Sequence, residues 1–198
     1  MTEVGATRPG GRTARTRALV RDATQAELAE HGYPGLTVEG VAERSGVHKT
    51  TLYRRWGGVD GLVVDALDLT SEDFWAPADT GSLAGDLTAV TREVVALFAD
   101  PVLGPSSHAY IVASFHSPRA ATALRGVFTD RLRRTEVVVE RAVVRGELPA
   151  GTDAAALVRV ALAPLYFRLL VTGEPLDDTV ADQASAGAVA TALAGVFA

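Results

Sequence analysis

The chain has 198 residues, 47% apolar and 22% charged, with 19 Lys plus Arg against 24 Asp plus Glu for a net charge of −5. That length can bury a core as one large domain or two small ones, and zero cysteines exclude disulfides and thiolate metal sites. No uninterrupted apolar run approaches the roughly eighteen residues of a membrane span.

The charge is unevenly divided. Residues 1–57 carry nine bases and six acids, net +3, and the remainder ten bases and eighteen acids, net −8. A basic head on an acidic body suits a polyanion partner at the head alone.

In chain order, residues 1–12 read as a flexible basic arm. MTEVGATRPGGRTARTR is followed by no apolar stretch long enough for a secretory signal, so a cytoplasmic location is expected. Val20, Ala23, Thr24 and Leu28 share one helical face and predict a first helix over 13–30, closed by Gly32. Thr37 caps a short second helix with Val38, Val41 and Ala42 inward, ending near Arg44. Ser45-Gly46-Val47 makes a tight turn, and a third helix covers 48–55 before Gly57-Gly58 breaks it. A fourth begins near Val59. Five more are expected over 82–99, 106–116, 118–146, 153–172 and 178–197, punctuated by Pro101, Pro105, Pro118, Gly146, Pro149, Gly173 and Pro175. No stretch alternates apolar and polar residues long enough to read as a strand, so the expected class is all-α with about nine helices.

Two short helices joined by a glycine-containing turn match the helix-turn-helix, whose second helix enters the DNA major groove. On the third helix Leu52 and Trp56 share the packing side, while Thr50, Tyr53 and Arg54 lie opposite and Lys49 flanks them. Lys49 is the single lysine of the chain. Lys49 and Arg54 suit phosphate or guanine edges, Thr50 and Thr51 offer hydroxyls and a methyl for thymine, and Tyr53 a phenol for phosphate. His48 opens the helix, as a cap or as an exposed residue near DNA.

The segment TVEGVAERSGVHKTTLYRRW at 37–56 strongly resembles the DNA-binding domain of the TetR family of bacterial transcriptional regulators, and the likeness extends over about 13–65 with Gly32-Tyr33 included. RGELPAGTD at 145–153 and PLYFRLLVTGEPLDD at 164–178 look, more loosely, like the end of the body in one subset of the family. The resemblance implies a homodimer with a helix-turn-helix head over 13–57 and an effector-binding, dimerising body over 58–198. It makes Thr37 a cap and phosphate contact, Thr50, Thr51 and Arg54 groove-facing, and Lys49 and Tyr53 backbone contacts. The family commonly carries a lysine just beyond the aromatic that follows the recognition helix. This chain has Gly57-Gly58-Val59 there, leaving Gly58 and the amides opening the fourth helix to meet phosphate.

Family bodies hold a small-molecule pocket, for which the aromatic candidates are Trp75, Phe98, Tyr110, Phe115, Phe128 and Tyr166, with His108, His116 and Arg168 as polar partners. Core packing is the competing reading for each aromatic. Two histidines without cysteines or a matching acidic pair make a poor metal site, and no cofactor is expected. Leu157, Ala161, Leu165 and Leu169 repeat every four residues, and Val189, Leu193 and Val196 offer a second stripe; together they are the expected dimer interface, a four-helix bundle across a two-fold axis.

No GxSxG, Gly-rich phosphate loop, HExxH or cysteine nucleophile supports an enzyme. The expected function is a ligand-responsive regulator, a repressor that binds a two-fold symmetric operator as a homodimer and is released by a small-molecule effector. The alternative is a dimeric small-molecule carrier that no longer binds DNA.

Overall fold

The structure, a computed structural model, describes residues 11–71 and 75–198. The expected basic arm lies outside the described residues as far as residue 10, and Gly11 already opens the first helix. The chain runs α1 (Gly11–Gly35), α2 (Val38–Ser45), α3 (Lys49–Trp56), α4 (Val59–Ser71), α5 (Leu83–Ala99), α6 (Leu103–His116), α7 (Pro118–Thr135), α8 (Val137–Val144), α9 (Ala154–Phe167), a π-helical turn (Arg168–Thr172) and α10 (Asp178–Leu193). The described residues contain no strand. The stretch 118–146, expected as one helix, is broken at Glu136 into α7 and α8; with these two counted together, the described residues hold the nine helices expected.

Two compact units emerge, and their boundary is not a cut at residue 58. The first holds the described residues up to 71 together with Pro105–Leu124; the second holds 75–104 and Arg125–Ala198.

In the first unit α1 supplies the expected inward face: Val20, Ala23, Thr24 and Leu28 are all buried. The Thr24 hydroxyl is satisfied by donating to the Val20 carbonyl at 2.7 Å. Each leucine moved wholly out of water contributes about 1.5–3 kcal/mol, and Leu28, Leu52 and Leu62 are each 1% exposed, with α4 packed against both α1 and α3. Polar ties fix the register. Arg17 pairs with Asp65 at 2.8 Å, linking α1 to α4, and Arg44 pairs with the buried Glu27 at 2.7 Å and also with Glu30, linking α2 to α1. Gly61 on α4 is a close-approach glycine: a Cβ there would collide with the Trp56 carbonyl at the end of α3.

The second unit packs α5 against α9 and α10, with α8 alongside. Leu83, Leu87, Val138, Leu157, Val158, Ala161 and Ala188 form its larger apolar cluster, and Val95, Leu165, Val180 and Ala181 a smaller one. This corrects the interface expected from the sequence. Leu157, Ala161 and Leu165 are 0% exposed inside the protomer, and Leu169 and Val189 are half-buried; of the seven residues in the two stripes, Leu193 and Val196, at 65% and 66%, stand in solvent. The four-residue repeat marked the face of α9 that closes the protomer core. The other face of α9 exposes Val160 and Phe167, the π-helical turn after it exposes Val171, and α10 exposes Leu193. Ala154–Thr172 is long and apolar enough to cross a membrane, with mean hydropathy 1.8, yet only 22% of that window is buried.

Candidate nucleic-acid interface

Thr37 adopts extended backbone and its Oγ1 accepts from the Gly40 amide at 3.0 Å, satisfying one of the free donors at the start of α2. Gly46 closes α2 in the left-handed region (φ 68°), a conformation that costs a side chain but not glycine, and so turns the chain within three residues into α3. His48 caps α3, its Nδ1 accepting from the Thr50 amide at a long 3.4 Å. The cap accounts for one ring nitrogen and leaves the imidazole exposed.

Leu52 and Trp56 anchor α3, at 1% and 8% exposed. Lys49, Thr50, Tyr53, Arg54 and Arg55 are exposed and Thr51 half-buried, so the helix presents a hydroxyl- and cation-bearing surface opposite its anchors. Tyr33 holds the neighbouring helix start: its hydroxyl donates to Asp60 in the first turn of α4 at 2.9 Å, and its ring stacks on His116 at 5.9 Å. Burial, then the Asp60 hydrogen bond and charge, raise the Tyr33 phenol above its usual pKa, so it stays a donor at physiological pH. Gly58 precedes α4, and its carbonyl accepts from the Leu62 amide at 3.2 Å, leaving the first amides of α4 outside the helical ladder.

Arg55 was not singled out from the sequence. Its guanidinium lies over the Trp56 ring, 4.9 Å from the centroid. At about 100° per residue, Arg55 flanks the outward face of α3 on the side away from Lys49 and Tyr53. The helical-wheel arithmetic applied to Lys49 contained this signal; the stacking that holds the side chain did not show.

The eight body candidates do not form one set. Trp75, Phe98, Phe128 and Tyr166 gather in the second unit, where Tyr166 meets Phe98 edge-on at 6.0 Å and Phe128 at 5.5 Å. His108, Tyr110, Phe115 and His116 all lie on α6 in the first unit. There Phe115 is 76% exposed, Tyr110 is buried beside α1, and His116 is engaged by Tyr33. Arg168 pairs with Glu174 at 2.8 Å.

Comparison with known proteins agrees with this geometry. Residues 20–66 match the family model described as bacterial regulatory proteins, tetR family, and residues 77–188 match the tetracyclin repressor-like C-terminal domain. The chain is 36% identical over 148 residues to the HTH-type transcriptional regulator AqdR of Rhodococcus erythropolis, covering 74% of this chain and 70% of that one. It is 35% identical to the DNA-binding transcriptional repressor TetR of Mycobacteroides abscessus, covering 83% and 86%. The crystal structure of the TetR family transcription regulator SCO0332 superposes with a TM-score of 0.67 at 31% identity, covering 91% of this chain and 98% of that one. These relatives are transcriptional regulators, not enzymes. The chain belongs to the TetR family of bacterial transcriptional regulators, DNA-binding proteins of the helix-turn-helix class.

Proposed function

We propose that the protein is a cytoplasmic, ligand-responsive repressor that binds a two-fold symmetric operator as a homodimer and leaves it when a small-molecule effector binds the body. The observation that carries this reading is α3: a helix pinned on one side by Leu52 and Trp56 whose other side carries hydroxyls and cations, all exposed but the half-buried Thr51. Thr50, Thr51 and Arg54 face the base edges, and Lys49, Tyr53 and Arg55 flank them toward the two phosphate walls of the major groove. Thr37, His48 and Gly58 lie at helix starts, where free amides suit phosphate. Repression is supported by the M. abscessus relative, itself a repressor.

Dimerisation is supported by the uncovered face of α9 and α10. Val160, Phe167 and Val171 recur at helical spacing and stand 40%, 56% and 68% exposed, a long apolar stripe of the kind that marks an interaction surface. Selection of bound fragments from a random DNA pool tests the reading. Enrichment of a two-fold symmetric motif is expected; a pool that yields no enriched motif contradicts it.

A further inference from the structure

The second unit contains four arginines that are half-buried, Arg131, Arg134, Arg141 and Arg168. Removing a cation from water is costly unless a partner meets it, and three of the four have one. Arg134 pairs with Asp130 at 2.6 Å, Arg141 with Asp79 at 3.7 Å and Arg168 with Glu174 at 2.8 Å. Arg131 makes no ion pair among the described residues. Its guanidinium instead lies over the Trp75 ring, 5.2 Å from the centroid.

Among the described residues, the acids that meet Trp75 and Arg134 are already committed. Glu93 accepts from the Trp75 indole N–H at 2.8 Å, and Asp130 holds both Arg133 and Arg134. Phe128 lies one turn before Arg131 on α7, and Tyr166 of α9 meets both Phe128 and Phe98 of α5 edge to face, all three rings half-buried. Burial pushes the Tyr166 phenol up to about 12, and the Arg131 charge opposes that rise. Trp75 is fixed from two sides, by Glu93 on its indole and by Arg134, whose guanidinium donates to the Trp75 carbonyl at 3.4 Å. The cluster therefore combines a cation lacking a carboxylate, a planar ring already stacked on it, and three further aromatic surfaces, all partly open to solvent.

We propose that this cluster is the effector site and that it takes small aromatic carboxylates, with Arg131 as the partner of the carboxylate and Trp75, Phe98, Phe128 and Tyr166 around the ring. A guanidinium meets a carboxylate through two parallel hydrogen bonds, while the aromatic side chains favour offset or edge-on contact with another ring. The inference rests on the ligand-responsive reading above and names the chemistry of the ligand.

Calorimetric titration of the full chain with 1-naphthoate and with its neutral isostere 1-naphthamide tests it. The wild-type protein is expected to bind the acid about tenfold or more tightly than the amide, and Arg131→Met to bring the two within about threefold while keeping its helical circular dichroism. Should Arg131→Met lose that signal, Arg131→Lys replaces it, with intermediate affinity for the acid and unchanged affinity for the amide expected. Binding of neither probe, equal binding of both, or a preference that survives Arg131→Met overturns the site. A parallel titration of the protein–DNA complex separates the two readings. If the acid binds through Arg131 without weakening DNA binding, the site stands and release by this effector falls; if the protein selects its operator but ignores both probes, the DNA reading stands and the site falls.

Discussion

Lys49 and Arg55 are the two cations that flank the outward face of α3, and both are exposed. A side chain at the edge of a helix lying in the major groove reaches a backbone oxygen more readily than a base, and such contacts position the protein without reading sequence. Each neutralised phosphate contributes about 0.9 to the slope of log affinity against log salt, so in a symmetric dimer Lys49→Ala and Arg55→Ala should each reduce its magnitude by up to about 1.8. Specific and random DNA should weaken alike. An unchanged slope, read from binding isotherms at several salt concentrations, removes the phosphate role from that residue. The Lys49 reading was available from the sequence because helical spacing fixes which residues share a face. Arg55 needed the structure, because its orientation comes from stacking on Trp56. Arg55 also supplies a cation next to Gly57-Gly58-Val59, where the family's usual lysine is missing.

At the scale of elements, α3 is held by α4 through a contact that only glycine permits. A Cβ at Gly61 would strike the Trp56 carbonyl, a backbone atom that cannot swing aside. Gly61→Ala should therefore lower thermal stability, by about 1–3 kcal/mol as for other overpacked sites, and weaken DNA binding because α3 must shift. Equal melting temperatures for variant and wild type would show that α3 and α4 can separate at no cost.

A second element, the segment entering α5, is clasped by charge. Asp86 is 0% exposed and accepts from the Thr80 amide and hydroxyl at 2.6 and 2.7 Å and from Arg145 at 3.3 Å. Burial opposes its charge, but the Thr80 bonds and then Arg145 outweigh it and hold the carboxyl below its usual range. Glu147 is held low by the Leu83 amide, then by Arg145. Depressed carboxylates stabilise the fold fully above their unfolded pKa of about 4 and lose that contribution as pH falls through the lower folded value. Wild-type stability should thus fall as pH drops below about 4, and Asp86→Ala should cost about 2–3 kcal/mol near neutrality while flattening that acid dependence. Denaturant melts across pH check this. A wild type and variant with parallel pH profiles would contradict the clasp.

For the whole molecule, the sequence made the all-helical class legible because apolar residues recur at helical spacing throughout. It showed the head in detail, because caps, the turn glycine and the recognition helix are all local. It did not show which side of α9 faces out. A leucine repeat reveals that a stripe is buried, not whether it meets its own chain or another, and Leu157, Ala161 and Leu165 belong to the protomer core. Nor did it show that the α6 aromatics group with the head, since that depends on contacts between residues distant in sequence. The proposed interface moves accordingly. Phe167→Glu with Val171→Glu should give a folded monomer, because carboxylates tolerated in solvent become expensive when buried between protomers. Sedimentation velocity showing an unchanged dimer would place the interface elsewhere, and an unfolded variant would return these residues to the core.

DNA reading by α3 is tested most directly by titrating wild type and Arg54→Ala onto the selected symmetric fragment and a scrambled duplex of equal length at fixed salt. The wild type should prefer the selected fragment by about a thousandfold or more, with two chains per duplex, and Arg54→Ala should lose about 1–3 kcal/mol on that fragment and much less on the scrambled one. Equal wild-type affinity for the two duplexes, or an Arg54→Ala protein that keeps the full preference, would contradict recognition through this helix.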